Sequence, residues 1–298
     1  MRVMWAAASF RQDLAYAVRA LARSPGLTAS IIVTFGLGVG ANAAVFTALD
    51  RVFFQPPDGV TDAGSLRRLY ARQVSSSATE YGPSGRVTPF LPTGDFLDLV
   101  ATAQGVARIE GYYLDRQLRT MPDERPVRMT FVSPGYLEML GVRIQRGRAF
   151  ARDESRLPGA AVPVTIISDA FWRARFGSDP DVVGTTVKIG STAYTIIGVA
   201  APGFEGVELE SVDLWAPLAN VRGGDITWLR VMARLAPDID VAMLEQRLSA
   251  QYRETHRGDR AVGTGSEIIS APLHAARGPT LSGVSVLRIP GMSERTIA

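Results

Sequence analysis

The sequence predicts an α+β protein built as a single N-terminal transmembrane helix followed by a mixed α+β extracytoplasmic domain. Two observations predict it. From Ser24 to Leu49 the stretch SPGLTASIIVTFGLGVGANAAVFTAL carries no ionisable side chain, and about 20 mostly apolar helical residues are enough to cross a bilayer core. After it, short alternating or β-branched runs mix with short amphipathic segments and no long repeat, the pattern of a mixed α+β unit. The expected boundaries are 1–26 for a cytoplasmic amphipathic interfacial helix, 27–50 for the transmembrane helix, 51–278 for the extracytoplasmic domain and 279–298 for an irregular tail.

The membrane segment comes first in the chain. A cleaved signal peptide fits it poorly, because such a peptide has an apolar core of about 7 to 15 residues lying nearer the N-terminus. Arg2, Arg11, Arg19 and Arg23 precede the span against the single acid Asp13, whereas Asp50, Arg51, Asp58 and Asp62 follow it. The positive-inside rule then puts the N-terminus in the cytoplasm. Later apolar runs, Val162 to Ile167 and Tyr194 to Val199, are only strand-sized, so the bulk of the chain is expected outside the cytoplasm, anchored in the membrane by one pass. Ahead of the span, Phe10, Leu14, Val18 and Leu21 fall on one helical stripe with Arg11, Arg19 and Arg23 off it. Pro25 and Gly26 break that helix before the chain turns to cross. The three arginines are candidates for a cytoplasmic interface, with simple anchoring to lipid as the plainer role.

Within the span, Gly36, Gly40 and Ala44 put small residues on one helical face, where a second helix could approach closely. Frequent glycine is also ordinary in transmembrane helices. Gly36, Gly38 and Gly40 do not make a nucleotide loop, since no Lys-Ser or Lys-Thr follows them.

In the remainder, Leu66 to Arg72 predicts a strand, and Thr93 offers an N-cap for a helix through Phe96, Leu97 and Val100. Val127 to Val132 predicts another strand. Ser133 and Pro134 open a short helix from Gly135 to Leu140, closed by Gly141. Val162 to Ile167 follows as a buried strand. Ser168 or Asp169 then caps a helix carrying Phe171, Trp172 and Phe176, with Gly177 as its stop. Thr186 to Ile189 and Ala193 to Val199 predict a hairpin turning at Gly190 and Ser191. Trp228 to Leu235 is a further strand, and Asp240 to Glu254 a helix with Val241, Leu244 and Leu248 at helical spacing, capped by Asp238 or Asp240.

Composition excludes several functions. With 32 Lys plus Arg against 29 Asp plus Glu, the net charge is only +3, and the basic residues form no stripe, so no nucleic-acid partner is expected. The absence of cysteine removes disulfides, thiolate metal sites and Cys nucleophiles. His256 and His274 have no ligand-spaced neighbours and are expected to be solvated or locally paired. Glu205, Glu208 and Glu210 flank a Gly-Phe turn; oxygen ligation of a hard cation is conceivable, but a solvated acidic loop is the expectation. Ser168 sits in no nucleophile elbow and is better explained as a cap. Trp172, Trp215 and Trp228 are expected in core or interface. No enzyme, metal or cofactor is expected.

Four phrases carry a resemblance. DLAYAVRALARSPGLTASIIVTFGLGVGANAAVFTALDRVFF (Asp13 to Phe54), VSPGYLEMLGVRIQRGRAF (Val132 to Phe150), VPVTIISDAFWRARFGSDPDVVGTTVKIGSTAYTIIGVAAPGFEGVELE (Val162 to Glu210) and WLRVMARLAPDIDVAMLEQRLSA (Trp228 to Ala250) occur in this order. Together they resemble the N-terminal half of MacB-type and FtsX-related ABC-transporter permeases, especially the orphan duplicated permease group. The resemblance implies a MacB-like periplasmic core domain inserted between the first two transmembrane helices. It implies partners too: an ABC-type ATPase subunit, other permease helices or subunits, and a periplasmic adaptor as a further candidate. In such permeases ATP-driven helix movement reaches the extracytoplasmic domain, a coupling called mechanotransmission that serves efflux or export.

The resemblance also implies a second hydrophobic span soon after Pro279. Leu281 to Leu287 is too short for one, so the expectation here is a chain truncated before that helix. The functional alternatives are a membrane-tethered binding or regulatory module in the periplasm, and a truncated permease without function.

Overall fold

The computed structural model describes residues 23–53, 55–74, 86–119, 126–151, 154, 163–221, 228–259 and 262–273. The chain divides into two compact units, residues 1–54 and 55–298.

The first unit contains helix α1, Pro25–Phe53. Pro25 stands at the first helical position, where its missing N–H goes unmissed, and Ser24 interrupts the helical backbone between it and Arg23. At 29 residues the helix is about 43 Å long at 1.5 Å per residue. Its apolar side chains have no core of their own to enter. Ile32, Phe35, Leu37, Val39 and Phe46 are all exposed, and the Thr28–Thr47 window has mean hydropathy 1.8 with none of it buried. The polar side chains of the helix turn inward to its own backbone. Ser30 donates to the Gly26 carbonyl, Thr34 to Ser30, Asn42 to Gly38 and Thr47 to Ala43, at 2.8 to 2.9 Å. Such i−4 bonds satisfy hydroxyl and amide groups where no water is available to do so.

The second unit is a mixed sheet with helices. Its strands are β1 (Leu66–Gln73), β2 (Arg86–Thr88), β3 (Leu91–Pro92), β4 (Ala107–Arg119), β5 (Val127–Val132), β6 (Ile144–Gly147), β7 (Val164–Ile167), β8 (Thr186–Ile189), β9 (Thr192–Ala200), β10 (Leu214–Pro217), β11 (Trp228–Leu235) and β12 (Glu267–Pro272). Its helices are α2 (Thr93–Thr102), α3 (Tyr136–Leu140), α4 (Asp169–Phe176) and α5 (Val241–Thr255). The strands run in the order β12-β1-β11-β4-β5-β10-β7-β9-β6, with β2 on β1, β3 on β11 and β8 on β9. Pairing is antiparallel except for β10 with β5 and β7 with β9.

Period-two alternation sorts side chains between the faces. In β11, Leu229, Val231 and Ala233 join a core with Phe96 and Leu99 of α2 and Leu244, Leu248 and Tyr252 of α5. Met232 points the other way, into a core with Tyr112, Tyr136, Leu140, Phe204 and Trp215. A third core gathers Phe131, Trp172, Tyr194 and Leu214.

Most of the helix and strand signals of the sequence stand. Ser168 caps α4 by accepting from the Phe171 N–H, and Asp240 caps α5 by accepting from the Ala242 N–H. Gly141 closes α3 with φ +71°, and β8 with β9 forms the expected hairpin around Gly190. One cap needs correction: Pro92, not Thr93, holds the N-cap position of α2, and no side chain caps it. The reason is that Pro92 is still paired with Trp228 in the ladder, so the chain stays extended one residue longer and Thr93 enters the first turn. Strands β2, β3, β4, β6, β10 and β12 were not anticipated. The stripe Phe10, Leu14, Val18 and Leu21 and the segment Leu281 to Leu287 lie outside the described residues.

Candidate functional site

Two features of the molecule are candidates for function. On α1, Gly36, Gly40 and Ala44 are exposed, and a Cβ added at Gly36 or Gly40 would meet nothing within 4 Å. Arg23 is exposed as well. Arg11 and Arg19 lie outside the described residues, so the proposed basic interface is represented by Arg23 alone.

In the sheet, register builds the second feature. Strands β1, β11 and β4 are adjacent, with Arg68 opposite Met232 and Arg230 opposite Tyr112. Arg68, Arg230 and Tyr112 thereby share the face that carries Met232. Glu208, from the loop after β9, reaches over them. A single carboxylate oxygen, Oε1, takes Arg68 Nη1 at 2.6 Å, Arg230 Nη1 at 2.6 Å and the Tyr112 hydroxyl at 2.5 Å. Arg68 also donates to the Tyr112 hydroxyl at 2.8 Å and to the Val207 and Leu273 carbonyls at 2.7 and 3.2 Å. The side chains of Arg68, Glu208 and Arg230 are 6%, 8% and 9% exposed.

Charge governs protonation here. Burial pushes the Glu208 carboxyl up, but the Arg68 and Arg230 guanidiniums, helped by the Tyr112 hydroxyl, overcome it and hold it down at about 2. Burial pushes the Tyr112 hydroxyl well above the usual phenol range. Tyr112 therefore stays a neutral donor, and Glu208 stays ionised. The cluster offers no titrating group near neutrality and so suits structure or recognition better than proton transfer.

This overturns the solvated acidic loop. Glu205 and Glu210 are exposed as expected, but the side chain of Glu208 is only 8% exposed, because two arginines on inward-facing strand positions need a counter-charge. The signal was present in the sequence: Arg68 and Arg230 stand at inward positions inside the apolar runs LRRLY and WLRVM. Among the described residues no group of His, Asp and Glu could hold a metal. Ser168 spends its hydroxyl oxygen on the α4 cap. His256 is locally paired, 4.5 Å from the Tyr252 ring and 3.5 Å from Asp95 Oδ1. His274 lies outside the described residues. Trp172 and Trp215 are core residues, whereas Trp228 is 49% exposed. Trp228 lines an aromatic cleft of about 190 Å³ with Phe90, Tyr112, Tyr113, Leu114 and Arg230.

The profile of the MacB-like periplasmic core domain matches residues 28–251, from early α1 into α5. The chain belongs to the MacB-like periplasmic core domain family. A search of curated proteins returned no match. Among solved structures, the extracellular domain of the ABC-type transporter YknZ from Gram-positive bacteria aligns at 15% identity and TM-score 0.51, covering 68% of this chain and 99% of that one. The periplasmic region of MacB from Actinobacillus actinomycetemcomitans aligns at 13% identity and TM-score 0.47, covering 72% and 91%. The YknZ superposition shows a shared fold. MacB-like periplasmic core domains are parts of ABC-type transporter permeases. With the apolar α1 ahead of it, this MacB-like domain is the extracytoplasmic part of a membrane-anchored chain.

Proposed function

We propose that the chain is a permease component of a MacB-type ABC transporter, in which a partner ATPase drives motion of the extracytoplasmic domain for efflux or export. The observation that carries this reading is the continuous family match across residues 28–251, which takes in most of the apolar helix and the sheet together. Coupling of this kind needs an element with two arrangements and a differential binding energy between them. ATP binding and hydrolysis on the partner supplies the energy, and α1 is a rigid helix long enough to pass movement across a bilayer. The chain itself has no catalytic role in this reading.

The orientation follows from charge. Arginines before the span and acids after it support an N-terminus in the cytoplasm, and the permease reading makes the membrane an inner one, where Arg11, Arg19 and Arg23 meet lipid or the ATPase. Gly36, Gly40 and Ala44 contact other permease helices, and the region 51–278 faces the periplasm, where an adaptor would meet it. The test is co-purification of the tagged chain from native membranes, followed by spin-label distances within the domain with ATP and with ADP plus vanadate. Recovery of a Walker-type ATPase and a nucleotide-dependent distance change are expected. Recovery of a cell-wall hydrolase without an ATPase would overturn the reading in favour of a tethered regulatory module.

A further inference from the structure

The cleft of about 190 Å³ between Phe90, Tyr112, Tyr113, Leu114, Trp228 and Arg230 is not accounted for by transport coupling. Its composition is narrow. Among the described residues that line it, four are aromatic, one is aliphatic, Arg230 is charged and none is acidic. Phe90, Tyr113 and Trp228 remain 37%, 36% and 49% exposed, so their rings are available to a ligand as a large apolar surface.

Arg230 is held in place from two sides. Its Nη1 is fixed on Glu208 at 2.6 Å and its guanidinium lies over the Phe90 ring at 5.3 Å. A guanidinium presents five N–H donors in a rigid fork, and one already oriented by a carboxylate and a ring loses little freedom on gaining a further acceptor. Arg68 converges on the same Glu208 oxygen, so two guanidiniums face one carboxylate and the cluster beneath the cleft keeps a net positive charge.

We propose that this cleft binds a small organic carboxylate whose apolar body is the size of one aromatic ring, with the carboxylate on Arg230 and the ring against Phe90 and Trp228. Size supports a single ring, since pockets for drug-sized molecules run from about 300 to 1,000 Å³. Charge supports an anion, because among the described lining residues the charged one is the Arg230 guanidinium, and the Glu208 carboxylate behind it is already shared between Arg230, Arg68 and Tyr112. Binding requires no ATPase, so it stands or falls separately from the transport reading.

The experiment uses the full chain in detergent micelles and fluorine NMR of 4-fluorophenylacetate, with 2-(4-fluorophenyl)ethanol as the neutral analogue and empty micelles as the blank. The carboxylate is expected to bind about tenfold more tightly than the alcohol, as a charge-assisted hydrogen bond gives. Trp228→Ala is expected to weaken both ligands, and Arg230→Met to remove the preference for the carboxylate. Equal binding of acid and alcohol to the wild-type chain would overturn the proposal, and so would carboxylate binding that Trp228→Ala leaves unchanged. Among the described residues Trp228 takes no part in the hydrogen bonds or ion pairs of the buried cluster, so this variant carries the test even if Arg230→Met fails to fold.

Discussion

Arg68 and Glu208, 140 residues apart in the chain, meet at 2.6 Å with side chains only 6% and 8% exposed. This contact ties β1, near the start of the sheet unit, to the loop after β9, and Arg230 on β11 closes it from the other side at the same oxygen. Glu208→Gln keeps the shape of the side chain and removes its charge, leaving two guanidiniums buried. The expected loss is about 3 to 5 kcal/mol, the range for removing one partner of a buried ion pair. Urea unfolding of the full chain in micelles, followed by tryptophan fluorescence, measures it, with Glu205→Gln on the exposed neighbour expected to stay within about 0.5 kcal/mol of wild type.

Acid should act through the same residue. Glu208 falls from an ordinary 4.5 to about 2 in the folded protein. A depressed carboxylate contributes stability that is fully present above its unfolded pKa and is lost as pH falls through the folded one. At about 1.4 kcal/mol for each pH unit, the contribution is about 3 kcal/mol, lost between roughly pH 5 and pH 2. Unfolding midpoints measured across that window should fall for the wild type and change much less for Glu208→Gln; parallel slopes would show that Glu208 is not the group responsible.

The legible parts of the fold were those whose signal is local. Ser168, Asp240, Gly141 and Gly190 mark caps and turns by backbone chemistry that needs no distant partner, and the uncharged run of α1 announces itself by length. Strand β4 was hidden because its sequence, ARIEGYYLDRQLR, mixes Gly111 with charges. It is a strand because β11 and β5 pair on both sides, which no local pattern records. The burial of the Glu208 side chain is not legible locally for the same reason, since its partners come from β1, β4 and β11.

Gly141 gives a sharper test of local chemistry. It sits at φ +71°, and a Cβ there would lie 1.7 Å from Thr61 Oγ1 and 2.9 Å from Thr61 Cβ. Gly141→Ala combines left-handed strain with a clash, so a loss of about 2 kcal/mol is expected. Gly177→Ala, at φ +57° with nothing within 4 Å of the new Cβ, is expected to lose about 1 kcal/mol from strain alone. Equal losses would show that the Thr61 contact contributes nothing.

Asp95 should respond to pH in the opposite sense from Glu208. Burial pushes its carboxyl up, His256 opposes this and Asp98 adds to it, and its Oδ2 is buried without a hydrogen-bond partner. A raised carboxyl contributes stability below its unfolded pKa and loses it as pH rises through the folded one. At neutral pH the ionised Asp95 is thus a burden between α2 and α5. Asp95→Asn is expected to raise the unfolding midpoint at pH 7 and to flatten its change above pH 4; a lower midpoint at pH 7 would mean that the pairing with His256 at 3.5 Å outweighs the desolvation.

On α1, the face formed by Gly36, Gly40 and Ala44 can be tested without knowing what it meets. The chain has no cysteine, so Ala44→Cys creates a unique thiol on that face, and benzophenone-4-maleimide attached there in native membranes will photo-link it to any neighbouring helix. Close approach across small residues is what the face offers, and Leu at Gly36 or Gly40 would push a neighbour outward by the width of a side chain. Neither substitution disturbs α1 itself, because an added Cβ meets nothing within 4 Å at either position and Leu favours helix over Gly by about 0.8 kcal/mol. Cross-linked product on a gel is therefore expected for Ala44→Cys alone and is expected to be lost when Gly36→Leu or Gly40→Leu is added. Undiminished cross-linking in the double variants would show that the small residues are incidental to α1 and that its contacts lie on another face.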